Sequence, residues 1–225
     1  MTLFTYTIPI DDGAAPNPFG GICTLTICKP AIRRKAAMGD WVVGLGSKRA
    51  SRDFSGRVVY AMKITRVLTL QEYDAYCSSR LPIKLPDWNS SRFEKRVGDC
   101  IYSYSGQGGP DMRVGIHNDG NRDVDLSGKN SLLSTHFYYF GNKPQKLPDH
   151  LSPIIHQTQG HKSVANTEYA APFIEWVENL GYEKNVLHGE PQLKDAVMRH
   201  QATCSGLCAS SRSKQGQEDN ALDHC

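Results

Sequence analysis

The chain has 225 residues and a formal net charge of only +3, from 26 basic and 23 acidic residues. Hydrophobic residues make up 39% of it, and no apolar run approaches the roughly 20 residues that a membrane span needs. The first residues lack the basic and apolar regions of a secretory signal, so we expect a cytoplasmic protein without a membrane partner. Its seven cysteines are irregularly spaced, which favours free thiols.

The charge is distributed unevenly along the chain. Residues 29–66 contain ten basic and two acidic residues, a net charge of +8, which leaves −5 for the remainder. Concentrated positive charge is typical of a surface that meets phosphates. It is also typical of a solvated face on amphipathic elements, and both interpretations remain open at this point.

In the first half of the chain, the Pro- and Gly-rich residues 11–21 indicate a loop. Pro30 favours a helix start, Gly39 a helix end, and Thr69 with Glu72 forms a capping box. Strands are predicted over 3–10, 22–28, 40–46 and 57–68, and helices over 31–38 and 70–78.

In the second half, the apolar run after Gly98-Asp99 repeats the pattern after Gly39-Asp40, which suggests two equivalent entries into one sheet or barrel. Strands are predicted over 100–104 and 132–141, and helices over 166–180 and 191–203. Strands do not alternate regularly with helices, so the pattern indicates an α+β fold with a curled mixed or antiparallel sheet and peripheral helices. We expect one domain over 1–190 and a C-terminal helix with a flexible polar tail over 191–225.

Several residues have the chemistry to bind a nucleotide. An Asn amide can pair with a base edge, an aromatic ring can stack on a base, and cations can contact phosphate. The candidates for base or nucleotide binding are Asn17, Phe19, Lys29, Arg33, Asp40, Trp41, Ser47 and Tyr102. The candidates for phosphate binding are Arg34, Lys48, Arg49 and Arg52. The aromatic residues fit a hydrophobic core equally well.

Four residues are candidates for catalysis: Cys28, Asp40, Asp99 and His161. Cys28 precedes Lys29 and lies near Arg33, a setting that can activate a thiol, although a buried neutral cysteine fits the apolar run as well. An Asp in a turn most often binds local backbone, and we expect that of at least one of Asp40 and Asp99.

Other chemistries lack their sequence signals. The chain has neither a phosphate-binding loop ending in Gly-Lys-Ser/Thr nor a dinucleotide fingerprint, and we predict no cofactor. His200, Cys204 and Cys208 are spaced like zinc ligands, but Gly206 interrupts their helix and no second close pair exists. The acidic residues 119–125 lack the Gly and Glu of a calcium loop, so we predict no metal.

Four blocks in this order resemble the Nucleotide modification associated domain 2 family: NPFGG, CTL-x-x-CKP-x-IRR, GDWVVG and F-x-YFG. The resemblance extends over about residues 3–180. It implies association with phage or bacterial systems that make or handle modified nucleobases, and base-modification enzymes as partners.

A weaker similarity concerns the Gly-Asp turn, the strand that follows it, the basic loop and the run VVYAMKITRV. These segments resemble PUA-like domains, including the EVE and ASCH groups, and imply a small β-barrel whose cleft receives a modified or flipped base.

Our leading hypothesis is a protein that binds a modified base in DNA, in a free nucleotide or in RNA. An enzyme acting on a modified base or nucleotide is the alternative, and an adaptor in a modification complex is a third. The sequence alone does not choose between them.

Overall fold

A computed structural model describes residues 1–9, 11–48, 53–156 and 160–199. The strands are β1 (Leu3–Ile8), β2 (Cys23–Leu25), β3 (Trp41–Gly46), β4 (Arg57–Lys63), β5 (Arg66–Thr69), β6 (Tyr102–Ser103), β7 (Asp111–Met112), β8 (Asn130–Ser134), β9 (Phe137–Tyr139) and β10 (Gln145–Lys146). The α-helices are α1 (Pro30–Lys35), α2 (Leu70–Arg80), α3 (Phe93–Arg96), α4 (Arg122–Ser127), α5 (Ala170–Glu178) and α6 (Lys194–Arg199). Short 3-10 helices cover Phe19–Gly21, Pro82–Lys84, Asp119–Asn121, Asp149–Ile154 and Val164–Tyr169.

The main sheet has the strand order β1-β3-β4-β10, with β9 also paired to β4. It is mixed, because β1 and β3 are parallel while the other pairs are antiparallel. Successive residues of β3 enter different cores, with Trp41 and Val43 in one and Val42 in the other, as the pleat requires. Helix α5 covers one face, and α1 together with the second sheet covers the other. Both faces are therefore buried.

The second sheet has the order β2-β8-β5, and β6 with β7 forms a separate hairpin. This confirms the α+β class and the mixed sheet. Among the described residues none of the three sheets closes on itself, so the PUA-like barrel suggested by the weaker similarity is not formed.

Two predicted long strands are each divided between the two sheets. The run 57–68 becomes β4 and β5, and the run 132–141 becomes β8 and β9. The runs remain paired with each other across the break, because β4 pairs with β9 in the main sheet and β5 with β8 in the second. At the bend the Thr65 hydroxyl accepts a bond from the Thr135 amide (3.0 Å). Hydrophobic pattern alone does not reveal such a shared bend.

The two predicted helix starts in the first half of the chain are confirmed, whereas α1 ends at Lys35, before the end predicted at Gly39. The capping box at Thr69 and Glu72 is present and begins α2, and Pro30 is the first residue of α1. The two Gly-Asp turns do not enter one sheet, since Asp40 precedes β3 of the main sheet and Asp99 precedes the separate hairpin. No described helix has the length and apolar character needed to cross a bilayer.

Candidate active site

Cys28 lies in the turn between β2 and α1. Cys28 and Lys29 both have left-handed backbone, with φ of 59° and 42°, and Pro30 follows as the first helical residue. For residues other than glycine this conformation costs about 1–3 kcal/mol each, and it persists where surrounding contacts fix it. A strained strand-to-helix turn is also the geometry that presents the nucleophile in hydrolases with a Gly-x-Ser-x-Gly elbow.

The thiol of Cys28 faces a buried histidine. Its Sγ lies 3.7 Å from His117 Nε2, and His117 Nδ1 is hydrogen-bonded to Asp125 Oδ2. The side chains of His117 and Asp125 are each 1% exposed, whereas Cys28 is partly exposed. Thiol, imidazole and carboxylate thus form a chain of contacts that we call the Cys28–His117–Asp125 triad.

Asp125 also fixes the residues around it. Its Oδ1 accepts a bond from the Cys28 amide (2.8 Å), and its Oδ2 accepts one from the Tyr102 hydroxyl (3.1 Å). Burial alone would raise the pKa of Asp125, but His117, Arg33 and the Cys28 amide outweigh it and hold that pKa below its usual value. The carboxylate therefore stays ionised and orients His117.

This arrangement fixes the tautomer of a neutral imidazole. With Asp125 ionised, a neutral His117 carries its proton on Nδ1 and donates it to the carboxylate. Its Nε2 is then an acceptor directed at the Cys28 thiol. A nucleophile, a base within reach and a group that orients the base are the parts needed for covalent catalysis.

Of the predicted site residues, the turn and its surroundings bring four together: Cys28, Lys29, Arg33 and Tyr102. Lys29 is 7% exposed, and its Nζ lies 4.9 Å from the Tyr6 ring centroid. Arg33 is fully buried and donates from Nη1 to the Cys28 carbonyl (3.2 Å). Tyr102 is 3% exposed, and its hydroxyl bonds Asp125 rather than facing solvent.

The predicted aromatic platforms are not exposed for stacking. Trp41 is 1% exposed, with ring centroids of His136 at 5.3 Å and Phe173 at 6.5 Å. Its indole belongs to the core beneath α5, which corrects its assignment as a base-stacking residue. Phe19 is partly buried and packs edge-on against Phe93.

Two predicted polar residues belong to a buried network around Lys84. The Asn17 carboxamide oxygen accepts from Lys84 Nζ (2.7 Å), and its nitrogen donates to the Val97 carbonyl (2.8 Å). Asp99 accepts from Thr24 Oγ1 (2.5 Å) and from the Tyr73 hydroxyl (2.7 Å), and it is fully buried. Burial raises the pKa of Asp99, although Lys84 opposes this. These contacts engage the Asn17 carboxamide and the Asp99 carboxylate inside the protein, where neither faces solvent.

The remaining predicted residues are dispersed. Asp40 accepts from the Thr2 amide (2.6 Å) and the Ala37 amide (3.0 Å), so it caps its own turn, as an Asp after Gly often does. His161 lies beside Phe4, with ring centroids 5.8 Å apart. Arg34 donates to the Ser127 carbonyl (3.1 Å). Ser47 is partly buried and Lys48 exposed after β3, while Arg49 and Arg52 lie outside the described residues.

The sequence reasoning missed His117 and Asp125. Asp125 was considered only as part of a calcium loop, and nothing in the pattern around His117 distinguishes it from the other seven histidines. Cys28 was a candidate, but its partners lie 89 and 97 positions away along the chain. The packing of residues 117–125 beside the turn before α1 brings them together.

Within 1–9, 11–48, 53–156 and 160–199 no group of three His, Cys, Asp or Glu residues is arranged to hold a metal ion. The zinc candidates His200, Cys204 and Cys208 fall outside these ranges.

The fold and the site define an α+β protein with a thiol–imidazole–carboxylate triad at a strand-to-helix turn. Residues 1–199 match the model of a family described as Nucleotide modification associated domain 2, and the chain belongs to that family. This confirms the resemblance found in the sequence, and the family description implies involvement in nucleotide modification. No curated protein and no solved structure matches the chain.

Proposed function

We propose that this protein is a thiol-dependent enzyme that acts on the modified base of a nucleotide or nucleic acid. The observation that carries the proposal is the contact of Cys28 with His117 and of His117 with Asp125. The family description supports a nucleotide substrate, and the triad supports nucleophilic chemistry.

The reaction that fits the triad best is displacement at a carbonyl carbon attached to the base. His117 Nε2 takes the thiol proton while Cys28 Sγ bonds to the carbonyl carbon. The carbon–nitrogen bond to the base then breaks, and the same proton passes from Nε2 to the departing nitrogen. Water attacks the thioester, the carbon–sulfur bond breaks, and the thiol regains a proton through His117. The net reaction consumes one water and releases a carboxylic acid and a base amine.

A role limited to binding has less support. Base binding was expected to use Trp41 for stacking and Asn17 for hydrogen bonding. Trp41 is in the core and Asn17 is bonded to Lys84, so neither offers a base contact. We retain Lys29 as a nucleotide contact in this proposal, because it directly follows Cys28 in the chain. We retain Arg34 and Lys48 as phosphate contacts in this proposal.

The experiment is a hydrolysis assay with nucleoside 5′-monophosphates acylated on the exocyclic nitrogen of cytosine or adenine, with the deacylated nucleotide measured by chromatography. We expect wild type to release it and Cys28→Ala to be slower by at least about 10³-fold, because the nucleophile acts as a unit with its base. Cys77→Ala, which removes a buried free thiol on α2, serves as the control and should match wild type.

Equal rates in Cys28→Ala and wild type would contradict the assignment of the nucleophile. Absence of both hydrolysis and a covalent adduct on Cys28 with every acylated nucleotide would contradict the carbonyl chemistry.

A further inference from the structure

We infer that Arg33 is a positioning residue for Cys28, and that Gly128 is glycine because it makes room for the Arg33 guanidinium. This inference rests on the proposed function, since it concerns the same thiol. It assigns roles to two residues that do not touch the reacting sulfur.

The peptide groups of Cys28 are held from both sides. Its amide donates to Asp125 Oδ1 (2.8 Å), and its carbonyl accepts from Arg33 Nη1 (3.2 Å). Since Cys28 has a φ of 59°, which a side-chain-bearing residue rarely adopts, these two bonds fix the turn that directs the thiol at His117.

Arg33 is itself fixed by the end of α4 and the start of β8. Its Nε donates to the Asn130 carbonyl (2.7 Å), and the Asn130 carboxamide donates back to the Arg33 carbonyl (3.1 Å). A planar guanidinium can reach the Cys28 and Asn130 carbonyls at once, whereas a lysine ammonium at the end of a flexible chain cannot hold the same two-point geometry.

The hydrogen bonds of Arg33 do not explain why an arginine is buried at this position. It is fully buried, and within the described part of the chain its Nη2 has no hydrogen-bond partner. Burying an incompletely bonded guanidinium is unfavourable, so its retention calls for another role. Asp125 and Cys28 both lie within electrostatic range of this charge, which places it beside the triad.

Gly128 provides the space. A Cβ on this residue would lie only 2.6 Å from Arg33 Nη1 and closer still to Cζ. The backbone of Gly128 is helical, with φ of −69° and ψ of −19°, so alanine is permitted there by conformation, and the three atoms nearest to its Cβ would all belong to the Arg33 guanidinium. Gly128→Ala therefore displaces Arg33 without changing its charge or straining the local backbone.

The test is the rate at which iodoacetamide alkylates Cys28 across a pH series, followed by peptide mass spectrometry with melting temperatures as a folding check. We expect Gly128→Ala, Arg33→Lys and Arg33→Met each to slow alkylation at pH 7 by about tenfold and to move the rise of the pH–rate profile to higher pH. Arg96→Lys is the matched control: this partly buried arginine donates to the Ser90 carbonyl (2.6 Å) and the Met198 carbonyl (3.3 Å), and neither bond involves the Cys28 peptide groups.

The possible results distinguish the positioning role of Arg33 from a role of its charge alone and from general loosening of the fold. If Arg33→Lys alkylates as fast as wild type, the charge of Arg33 is sufficient and the positioning role is overturned. If folded Gly128→Ala has the wild-type pH–rate profile, the role of Gly128 is overturned. An equal slowing in Arg96→Lys would reveal general loosening and also overturn the inference. If His117→Ala slows alkylation while the Arg33 and Gly128 variants do not, the inference fails and the proposed function stands. If His117→Ala has no effect, the proposed function itself fails.

Discussion

Replacing Lys84 with methionine is expected to lower the free energy of unfolding by about 3–5 kcal/mol, the cost of removing one partner from a buried charged network. Lys84 is fully buried, and its ammonium donates to the Asn17 carbonyl (2.7 Å), the Asn17 carboxamide oxygen (2.7 Å) and the Ile22 carbonyl (2.8 Å). Burial lowers the pKa of Lys84, and Asp99 opposes that shift. Methionine fills a similar volume, so the loss comes from three acceptors that each lose a charged donor and from Asp99 left without its cation.

Thermal unfolding followed by circular dichroism measures this effect. For a chain of this size we expect a fall in melting temperature of roughly 10 °C. Lys95→Met is the control, because Lys95 also donates to a carbonyl, that of Pro82 (2.6 Å), but does so at the surface. The control should change the free energy of unfolding by less than about 1 kcal/mol. A Lys84 variant as stable as the Lys95 variant would contradict the role of this network.

Asp11 is expected to make the protein less stable as the pH rises from about 4 to about 7. Burial raises the pKa of Asp11 from 3.8 to about 7, although the Tyr139 hydroxyl, which donates to it (2.8 Å), opposes this. Between these values the native state keeps a proton that the unfolded chain releases, so the free energy of unfolding falls with rising pH. Below the window both states are protonated, and above it both are ionised, so the penalty is then constant.

The expected loss of stability is about 4 kcal/mol, because each pH unit between the native and unfolded pKa values contributes roughly 1.4 kcal/mol. Urea unfolding of wild type and Asp11→Asn from pH 4 to pH 8 measures the contribution of Asp11. The other titrating groups contribute equally to both proteins, so their effect cancels in the difference between the two free energies of unfolding. Asp149→Asn, at an exposed position, should run parallel to wild type. Parallel curves for wild type and Asp11→Asn would refute the raised pKa.

Local signals in the sequence predicted local structure well. Pro30 begins α1, and the capping box at Thr69 begins α2, because each depends on a few adjacent residues. The predicted strand run 57–68 failed at Ile64 and Thr65, where the chain passes from one sheet to the other. Its β-branched pattern continues through the bend, since residues on both sides of it are buried in cores.

In the candidate site, too, the sequence indicated residues that lie close together in the chain and missed those that lie far apart. Cys28 and Arg33 were found because they lie in one short motif, although Arg33 was expected to meet a nucleotide rather than the Cys28 carbonyl. Trp41 was a stacking candidate with a core position equally open, because a strand pattern does not say which of two faces is covered, and here α5 covers its face. His117 and Asp125 depend on contacts between segments far apart in the chain, which neither spacing nor composition encodes.

The central claim is that His117 activates Cys28 under the direction of Asp125. Its most direct test is the alkylation rate of Cys28 by iodoacetamide at pH 7 in wild type, His117→Ala and Asp125→Asn, with folding verified by circular dichroism. We predict that His117→Ala is slower than wild type by about tenfold or more, because an unassisted thiol is only a few per cent thiolate at this pH, and that Asp125→Asn lies between them. Equal rates in all three folded proteins would contradict the account.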